Sequence, residues 1–226
     1  MVTANKGPIA FAYSELKSLA AETGALFRFE GTVMDGAPVF NMVEDCLPGV
    51  RVLGFSGVLN STTNLILTGM ESGRSFEESL AEARRRGIAE ANSDDDIDGW
   101  DAAMKAVALA NVLMHAESRP VDVDRDGIRN VSLEDIERAA RSGMAIRLVA
   151  RGKRSTDLVK LTVAPEWVPL TSALGSVCGT SNVLVLETDL MGEIGIVENN
   201  PGTAQTGYAL LSDMIQIHEE KVIRDA

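Results

Sequence analysis

A chain of 226 residues with a formal net charge of −12 and a sequence pI near 4.6 has no basic face to offer nucleic acid or an anionic membrane. Hydrophobic residues make up 45% of it, ordinary for a globular protein, and its two cysteines, Cys46 and Cys178, lack the paired spacing of a metal finger, so a reduced, cytoplasmic setting is expected. The start has no basic segment leading into an apolar one, and AVALANVLM, the longest apolar run, is far below the roughly 18 residues of a membrane span.

Residues 7–24, GPIAFAYSELKSLAAETG, have helical periodicity, with Ile9, Tyr13, Leu16 and Leu19 on one face and Gly24 as a stop. ALFRFEGTV (25–33) alternates and is rich in aromatic and β-branched residues, which predicts a strand. APVFNMVEDCL (37–47) reads as a short helix and VRVLGFSGVLN (50–60) as a second strand. STTNLILTGMESG (61–73) is a helix starting in a hydroxyl-rich turn. In SFEESLAEARRRG (75–87), Ser75 and Glu78 form a capping box, Phe76, Leu80 and Ala83 share a face, and Gly87 ends the helix. Glu82 and Arg86 are spaced for an i, i+4 pair.

The next helix runs from Asp98 or Gly99 to about His115, and SLEDIERAARSG (132–143) repeats the capping logic with Ser132, Asp135 and Gly143. MAIRLVAR (144–151), DLVKLTVA (157–164), NVLVLET (182–188) and EIGIVE (193–198) read as strands, and AQTGYALLSDMIQIHEE (204–220) as the last helix. There is no internal repeat and no strict βαβ rhythm. The expected fold is α/β of the α+β type, a mixed β-sheet packed with helices in a single domain over residues 1–226.

Six carboxylates, Glu90, Asp94, Asp95, Asp96, Asp98 and Asp101, crowd into twelve residues ahead of a lone lysine, Lys105. The helix that carries Lys105 is apolar almost all the way round, as a buried helix is. Asp101 and Lys105 are four apart and share one stripe. On spacing alone they could be a surface ion pair. Burying charge costs several kcal/mol per ion unless it is well paired, and a cleft lined by this stripe resolves that conflict. Asp94 to Asp96 could simply cap a helix, for which one aspartate suffices. So many mutually repelling acids point to a cationic ligand, a metal ion or a substrate ammonium, and spacing leaves the two tied. Asp122, Asp124, Asp126 and Gly127 open like a calcium loop, but its closing glutamate falls on Leu133, so the segment reads as a loop before the Ser132 cap.

GVLNSTTNLIL, SFEESLAEARRRGIAEANSDDDIDGWDAAMKAVALA and the opening VTANKG together resemble homoserine dehydrogenase. That family has an Asn-small-Thr-Thr-Asn turn after a strand, an amphipathic helix, an acidic loop and an Asp-x-x-x-Lys helix, in this order. The resemblance runs from Val2 to about Ile217. It implies the reversible NAD(P)-dependent conversion of L-aspartate 4-semialdehyde to L-homoserine. Lys105 would protonate the aldehyde oxygen as hydride arrives, and Asp101 would orient it. Glu90 and Asp96 would bind the substrate's amino group. Ser61 and Thr62 would contact the substrate, and Lys6 would lie near substrate and nicotinamide. Gly202 is the clear match to the family's glycine-rich segment on the cofactor side. Glu30, Val33, Asp35 and Ala37 match a monovalent cation site for Na+ or K+, built mostly from backbone carbonyls. The other reading of that segment is a tight connection alone. The family pairs through this domain's sheet, so a homodimer is expected.

Ser61 stands where the family usually has glycine, and VMDG replaces a glycine-rich connection. The family begins with a dinucleotide-binding domain carrying G-x-G-x-x-G. GFSG and GEIG have the wrong spacing for it, so the chain is expected to be a catalytic and dimerisation domain without its cofactor domain, with little turnover alone. Two readings from other classes remain: a non-catalytic amino-acid-binding module, and an NADPH-dependent reductase of another small carbonyl compound.

Overall fold

The computed structural model describes residues 1–156 and 158–224. In chain order the regular elements are α1 (Lys6–Thr23), α2 (Val39–Asn41), β1 (Val52–Val58), α3 (Ser61–Glu71), α4 (Phe76–Arg85), α5 (Asp94–Ile97) and α6 (Trp100–Leu113). They continue with β2 (Asp124–Arg125), α7 (Leu133–Arg141), β3 (Met144–Ser155), β4 (Leu158–Pro169), α8 (Ala173–Ser176), β5 (Asn182–Thr188), β6 (Gly192–Glu198) and α9 (Thr203–Arg224). The strands form one mixed sheet in the order β2-β4-β3-β1-β5-β6, antiparallel except for the β2–β4 pair. A mixed sheet packed with helices is the architecture the sequence predicts.

Alternation along the strands decides what each face meets. Ile146, Leu148 and Ala150 of β3, Leu161 and Val163 of β4, and Leu184 and Leu186 of β5 join Ala103, Ala106, Val107 and Ala110 of α6 in the main core. The alternate residues face the other way. At one end of that second face Leu174 of α8 and Val177 just after it cover Ala145, Val149, Val168 and Val183. There the Arg147 guanidinium is fully buried, meeting the Glu71 carboxylate and donating to the Val177 carbonyl at 3.1 Å. Across the rest of this face one cross-strand row reads Lys160, Lys153, Gly54, Glu187, Glu193, two cations on one side of a glycine and two acids on the other.

The capping boxes Ser75–Glu78 and Ser132–Asp135 both form, and start α4 and α7 where the sequence places them. α6, at Trp100–Leu113, is apolar on nearly every side and is the central buried helix of the core. Among the described residues no helix is long and apolar enough to cross a membrane. β4 runs to Pro169, beyond the predicted 157–164, and Asp157 at the start of that prediction lies outside the described residues.

Residues 25–33 are not a strand. Val2 and Arg28 make a single parallel bridge, after which the chain turns through a 3-10 helix at Glu30–Thr32. Two long-range contacts overrule the local alternation. The Glu30 amide donates to Asp213 of α9 at 3.0 Å, and a Cβ on Gly31 would stand 3.3 Å from the side chains of Ala4 and Ala209. α1 is also not one straight stripe: Ala12 leaves helical geometry (φ −147°, ψ 27°), so Ile9 is buried while Leu19 is 55% exposed. On α4 the partner of Glu82 is Arg85, at i, i+3, rather than Arg86. The 37–47 helix splits into α2 and a π turn at Met42–Cys46.

The loop that resembles a calcium site is tied elsewhere. Asp122 accepts the Arg119 amide at 2.8 Å, and Asp124–Arg125 form β2 against β4. Gly127 must be glycine, because a Cβ there would lie 2.2 Å from the Ile97 carbonyl oxygen. Arg125 stacks over the Trp100 ring at 3.8 Å, fixing this loop to the start of α6.

Candidate active site

α3 and α6 both begin beside β1, and their first turns face each other across a hollow of about 350 Å3. Asn60, just past β1, accepts the Thr63 amide at 2.8 Å and so starts α3. Its side-chain nitrogen then donates to two acids, to Asp96 Oδ1 at 2.7 Å and Asp101 Oδ2 at 2.9 Å. One 5%-exposed amide thus holds two carboxylates in register.

Asp101 is the hub. Lys6 Nζ, from the first turn of α1, lies 2.8 Å from its Oδ1, and Lys105 Nζ lies 3.3 Å from its Oδ2. Lys105 also donates to the Leu59 carbonyl at 2.6 Å, which fixes its ammonium at the floor of the hollow. Burial works against the Asp101 charge, but Lys105 and Lys6 together with the Lys6 and Asn60 hydrogen bonds outweigh it and hold the carboxyl well below the usual range. Asp96 goes the other way: burial, with the neighbouring Asp101 charge, raises it against the Asn60 hydrogen bond. Two carboxylates that share one amide are therefore pushed apart in acidity.

The six acids of the cluster separate into two groups. Asp94 and Asp98 turn outward to Arg129, at 2.8 and 3.0 Å. Glu90, Asp95, Asp96 and Asp101 line the hollow, with Lys6, Lys105, Ser61 and Thr62. The Ser61 hydroxyl is engaged by the scaffold, donating to the Thr180 carbonyl at 2.9 Å, and the Thr62 hydroxyl lies between the Ile88 carbonyl, at 3.3 Å, and the Asp96 carboxylate. What they offer a ligand is their main-chain amides, which helix geometry leaves without an intrahelical acceptor. The hollow therefore presents acids on one wall, two ammonium groups at its floor and a helix N-terminus opposite.

Of the other predicted positions, all but Asp35 lie apart from this centre. Glu30 is buried, with its carboxylate accepting the Phe40 and Asn41 amides at 2.8 Å each. Burial pushes its carboxyl up to about 7, with the Asp213 charge adding to the rise and the amides opposing it. Val33 and Ala37 are buried beside it, and the Ala37 carbonyl accepts the Val39 amide at 2.9 Å. Asp35 reaches the hollow and accepts the Thr206 hydroxyl at 3.0 Å. Among the described residues no three His, Cys, Asp or Glu side chains converge as metal ligands. Gly202 lies outside the hollow, its amide donating to Gln205 at 3.1 Å.

Three residues to which the sequence reading gives no individual role belong here. Asn60 is the bridge between the acids, and its position before a hydroxyl-rich helix start was the available signal. Asp95 lines the hollow. Glu198, at the end of β6, accepts the Gly36 amide at 3.2 Å while its other oxygen is buried without a donor. Burial raises the Glu198 carboxyl, with Asp35 adding to the rise and Gly36 and Lys105 opposing it. Nothing in the local pattern of β6 marks that residue.

Residues 38–215 match the homoserine dehydrogenase family model. The chain belongs to the homoserine dehydrogenase family. It is 41% identical over 219 residues to homoserine dehydrogenase from Methanocaldococcus jannaschii, covering 96% of this chain and 64% of that protein. It is 38% identical over 220 residues to an NAD(+)-dependent homoserine dehydrogenase from Pseudomonas canavaninivorans, covering 97% of this chain and 62% of that protein. Its fold is similar, with a TM-score of 0.83 and 32% identity, to a hyperthermophilic archaeal homoserine dehydrogenase solved with NADPH, over 97% of this chain and 64% of that one. The chain thus spans less than two thirds of the length of these homoserine dehydrogenases.

Proposed function

We propose that this chain is the substrate-binding and catalytic part of an NAD(P)-dependent homoserine dehydrogenase, interconverting L-aspartate 4-semialdehyde and L-homoserine in the cytoplasm. The observation that carries the reading is the Lys105 ammonium, fixed by Leu59 and Asp101 at the floor of an acidic hollow. The substrate's ammonium sits against Glu90 and Asp96, and its α-carboxylate meets the first-turn amides of Ser61 and Thr62. That places its carbonyl end toward Lys105 and Lys6.

When bound, the reduced nicotinamide supplies the hydride for the aldehyde carbon and leaves as the oxidised form. Lys105 gives a proton to the aldehyde oxygen as the C=O bond becomes C–O–H, and the proton returns to its amine from solvent. Asp101 orients that ammonium and steadies its charge, while Lys6 balances the charge of Asp101. An apolar cavity of about 430 Å3 beside Gly36, walled by Pro38, Ile196 and Tyr208, has room for a planar ring. Glu198 lies on its wall.

The dinucleotide's remainder falls to a domain outside this chain. Two features support such a neighbour: the parallel Val2–Arg28 bridge joined through α1, a crossover with open edges, and the exposed Tyr208, Leu211 and Ile215 on α9. A monovalent cation near Glu30 would be held by main-chain carbonyls, since both Glu30 carboxylate oxygens already accept amides. A homodimer belongs to the same proposal. A second copy facing the sheet, related by a two-fold axis along β1, sets Lys153 and Lys160 against Glu187 and Glu193.

The test is NADPH oxidation with L-aspartate 4-semialdehyde, measured on this chain joined to its upstream sequence. Turnover that Lys105→Ala removes supports the reading, and a folded, inactive protein ends it.

A further inference from the structure

The acids of the Lys105 hollow differ in what already holds them. Lys6 and Lys105 both pair with Asp101, at 2.8 and 3.3 Å. Asp96 accepts the Asn60 amide at 2.7 Å and a bond from the Thr62 hydroxyl, and Asp35 accepts the Thr206 hydroxyl at 3.0 Å. Glu90 and Asp95 line the same hollow, yet among the described residues neither carboxylate has an ion pair or a hydrogen bond. With five acids against two lysines, the hollow carries negative charge that its own cations leave unbalanced.

The single turn of α5 decides which way Asp95 points. Successive residues of a helix stand about 100° apart, so neighbours in α5 meet different surroundings. Ile97 enters the core, 2% exposed, and its carbonyl accepts the Ile128 amide at 2.9 Å. Asp94 and Asp98, nearly in line, turn to Arg129. Asp95 and Asp96 are left on the side of the hollow. The turn is thus held at Ile97 and Asp94, and the scaffold presents Asp95 without using it.

An ammonium group has three N–H donors, whereas a hydroxyl has one. Glu90 and Asp96 give the substrate's ammonium two acceptors, and Asp95 in the same hollow makes a third. A hydroxyl in that place would satisfy one acid and leave two like charges unpaired. A site whose polar groups go unpaired with the wrong compound rejects it strongly.

We propose that Asp95 is the third carboxylate on the substrate's ammonium, and that it makes the hollow select an α-amino compound over its α-hydroxy counterpart. The proposal rests on the reading of the hollow as the place where L-homoserine and L-aspartate 4-semialdehyde bind. It adds a specificity residue to the two acids, Glu90 and Asp96, that the family resemblance gives to the ammonium. Asp95 acts on binding and takes no part in the proton transfer from Lys105.

Calorimetry on this chain joined to its upstream sequence tests the assignment, with L-homoserine and (S)-2,4-dihydroxybutyrate as probes. The second differs from the first only in an α-hydroxyl where the ammonium stands. Asp95 is exposed and Asp95→Asn breaks no side-chain contact, so the variant folds as the parent does. Asp95→Asn is expected to weaken L-homoserine binding about tenfold, the scale of one charge-assisted hydrogen bond, and to leave dihydroxybutyrate within about twofold. Asp95→Glu keeps the charge and returns L-homoserine to within about threefold of the parent. Asp94→Asn removes the same formal charge one residue away, on the Arg129 side, and changes neither compound by more than about twofold. Parent-like L-homoserine binding in Asp95→Asn overturns the assignment, as does an equal loss for both compounds. An equal loss in Asp94→Asn also overturns it, because the effect is then one of net charge. Equal affinity of the parent for the two compounds overturns the selection. A parent that binds neither compound ends the reading of the hollow, and this assignment with it.

Discussion

Lys6 Nζ lies closer to Asp101 than Lys105 does, 2.8 Å against 3.3 Å, although Lys105 belongs to the same helix as Asp101. The carboxylate is shared between a local i, i+4 partner and one from 95 residues earlier in the chain. α1 therefore completes the charge balance of the site that α6 begins. Without Lys6 the hollow would hold five acids around one ammonium.

Removing either lysine has a different signature. Lys105→Ala in the complete enzyme is expected to lower kcat by roughly 10²–10⁴, the usual loss of a general acid. Lys6→Met acts through Asp101. The Asp101 carboxyl is depressed in the folded state, so its contribution to stability is present above the unfolded value near 3.9 and is lost as pH falls below it. Lys6→Met shrinks that contribution. Urea melts are expected to show the variant less stable than the parent by about 1.5–3 kcal/mol at pH 7, with the gap narrowing as the pH falls below 4. A constant gap across that range would contradict the role given to Lys6.

Asn60 does two jobs that substitution can separate. It caps α3 through Oδ1 and bridges Asp96 to Asp101 through its amide nitrogen. Asn60→Ser keeps a capping oxygen and loses the bridge, whereas Asn60→Ala loses both. Asn60→Ala is expected to cost about 0.5–2 kcal/mol more than Asn60→Ser in urea unfolding, the range for a lost N-cap. Both are expected to weaken L-homoserine binding to a similar extent by calorimetry. Parent-like binding in Asn60→Ser would remove the bridge from the site.

Much of this site was legible because its partners are close in sequence. Asp101 and Lys105 sit one helical turn apart, so periodicity puts them on one stripe, while Glu90 and Asp96, just ahead of them, were assigned to the same site by the resemblance to homoserine dehydrogenase. The capping residues Ser75 and Ser132 were legible for the same reason. What the sequence hid depends on distant contacts. Residues 25–33 alternate like a strand, yet Asp213, 183 residues away, takes the Glu30 amide and turns the chain. The division of Asp94 and Asp98 from the other acids rests on Arg129, across a loop whose own acids look like a calcium motif. Glu198 joins the site only because β6 is the edge strand beyond β5, an order that no local pattern encodes.

Glu30 gives the fold a pH dependence near neutrality. Its carboxyl is pushed up to about 7 in the folded protein, chiefly by burial, against about 4.5 for an ordinary glutamate. The sign follows from linkage: the unfolded chain releases this proton first, so stability is full below about pH 4.5 and falls as pH rises toward 7, by roughly 3 kcal/mol at most. Glu30→Gln cannot ionise. It is expected to be less stable at pH 5, because one of the Phe40 and Asn41 amides then faces an NH2 group. Its urea midpoint is expected to change less than the parent's between pH 5 and pH 8. Parallel profiles for the two proteins would show that Glu30 stays ionised throughout.

The cross-strand row Lys160, Lys153, Gly54, Glu187, Glu193 makes a prediction about self-association. β1 is flanked by β3 and β4 on one side and by β5 and β6 on the other, so a two-fold axis along β1 exchanges the lysine pair with the glutamate pair. Gly54 at the centre has no side chain to hold the sheets apart, and the Glu187 carboxylate already leans over it, 3.3 Å from where a Cβ would stand. Lys153→Glu sets acid against acid across the axis, and the dimer is expected to weaken by about tenfold or more in sedimentation equilibrium at low salt. Glu187→Lys alone sets lysine against lysine and weakens it likewise. The double variant Lys153→Glu, Glu187→Lys restores opposite charges in reversed order, and is expected to recover most of the affinity. Raising the salt to about 1 M should shrink all three differences, because the Debye length falls to about 3 Å. A double variant weaker than either single one would place the partner on another face.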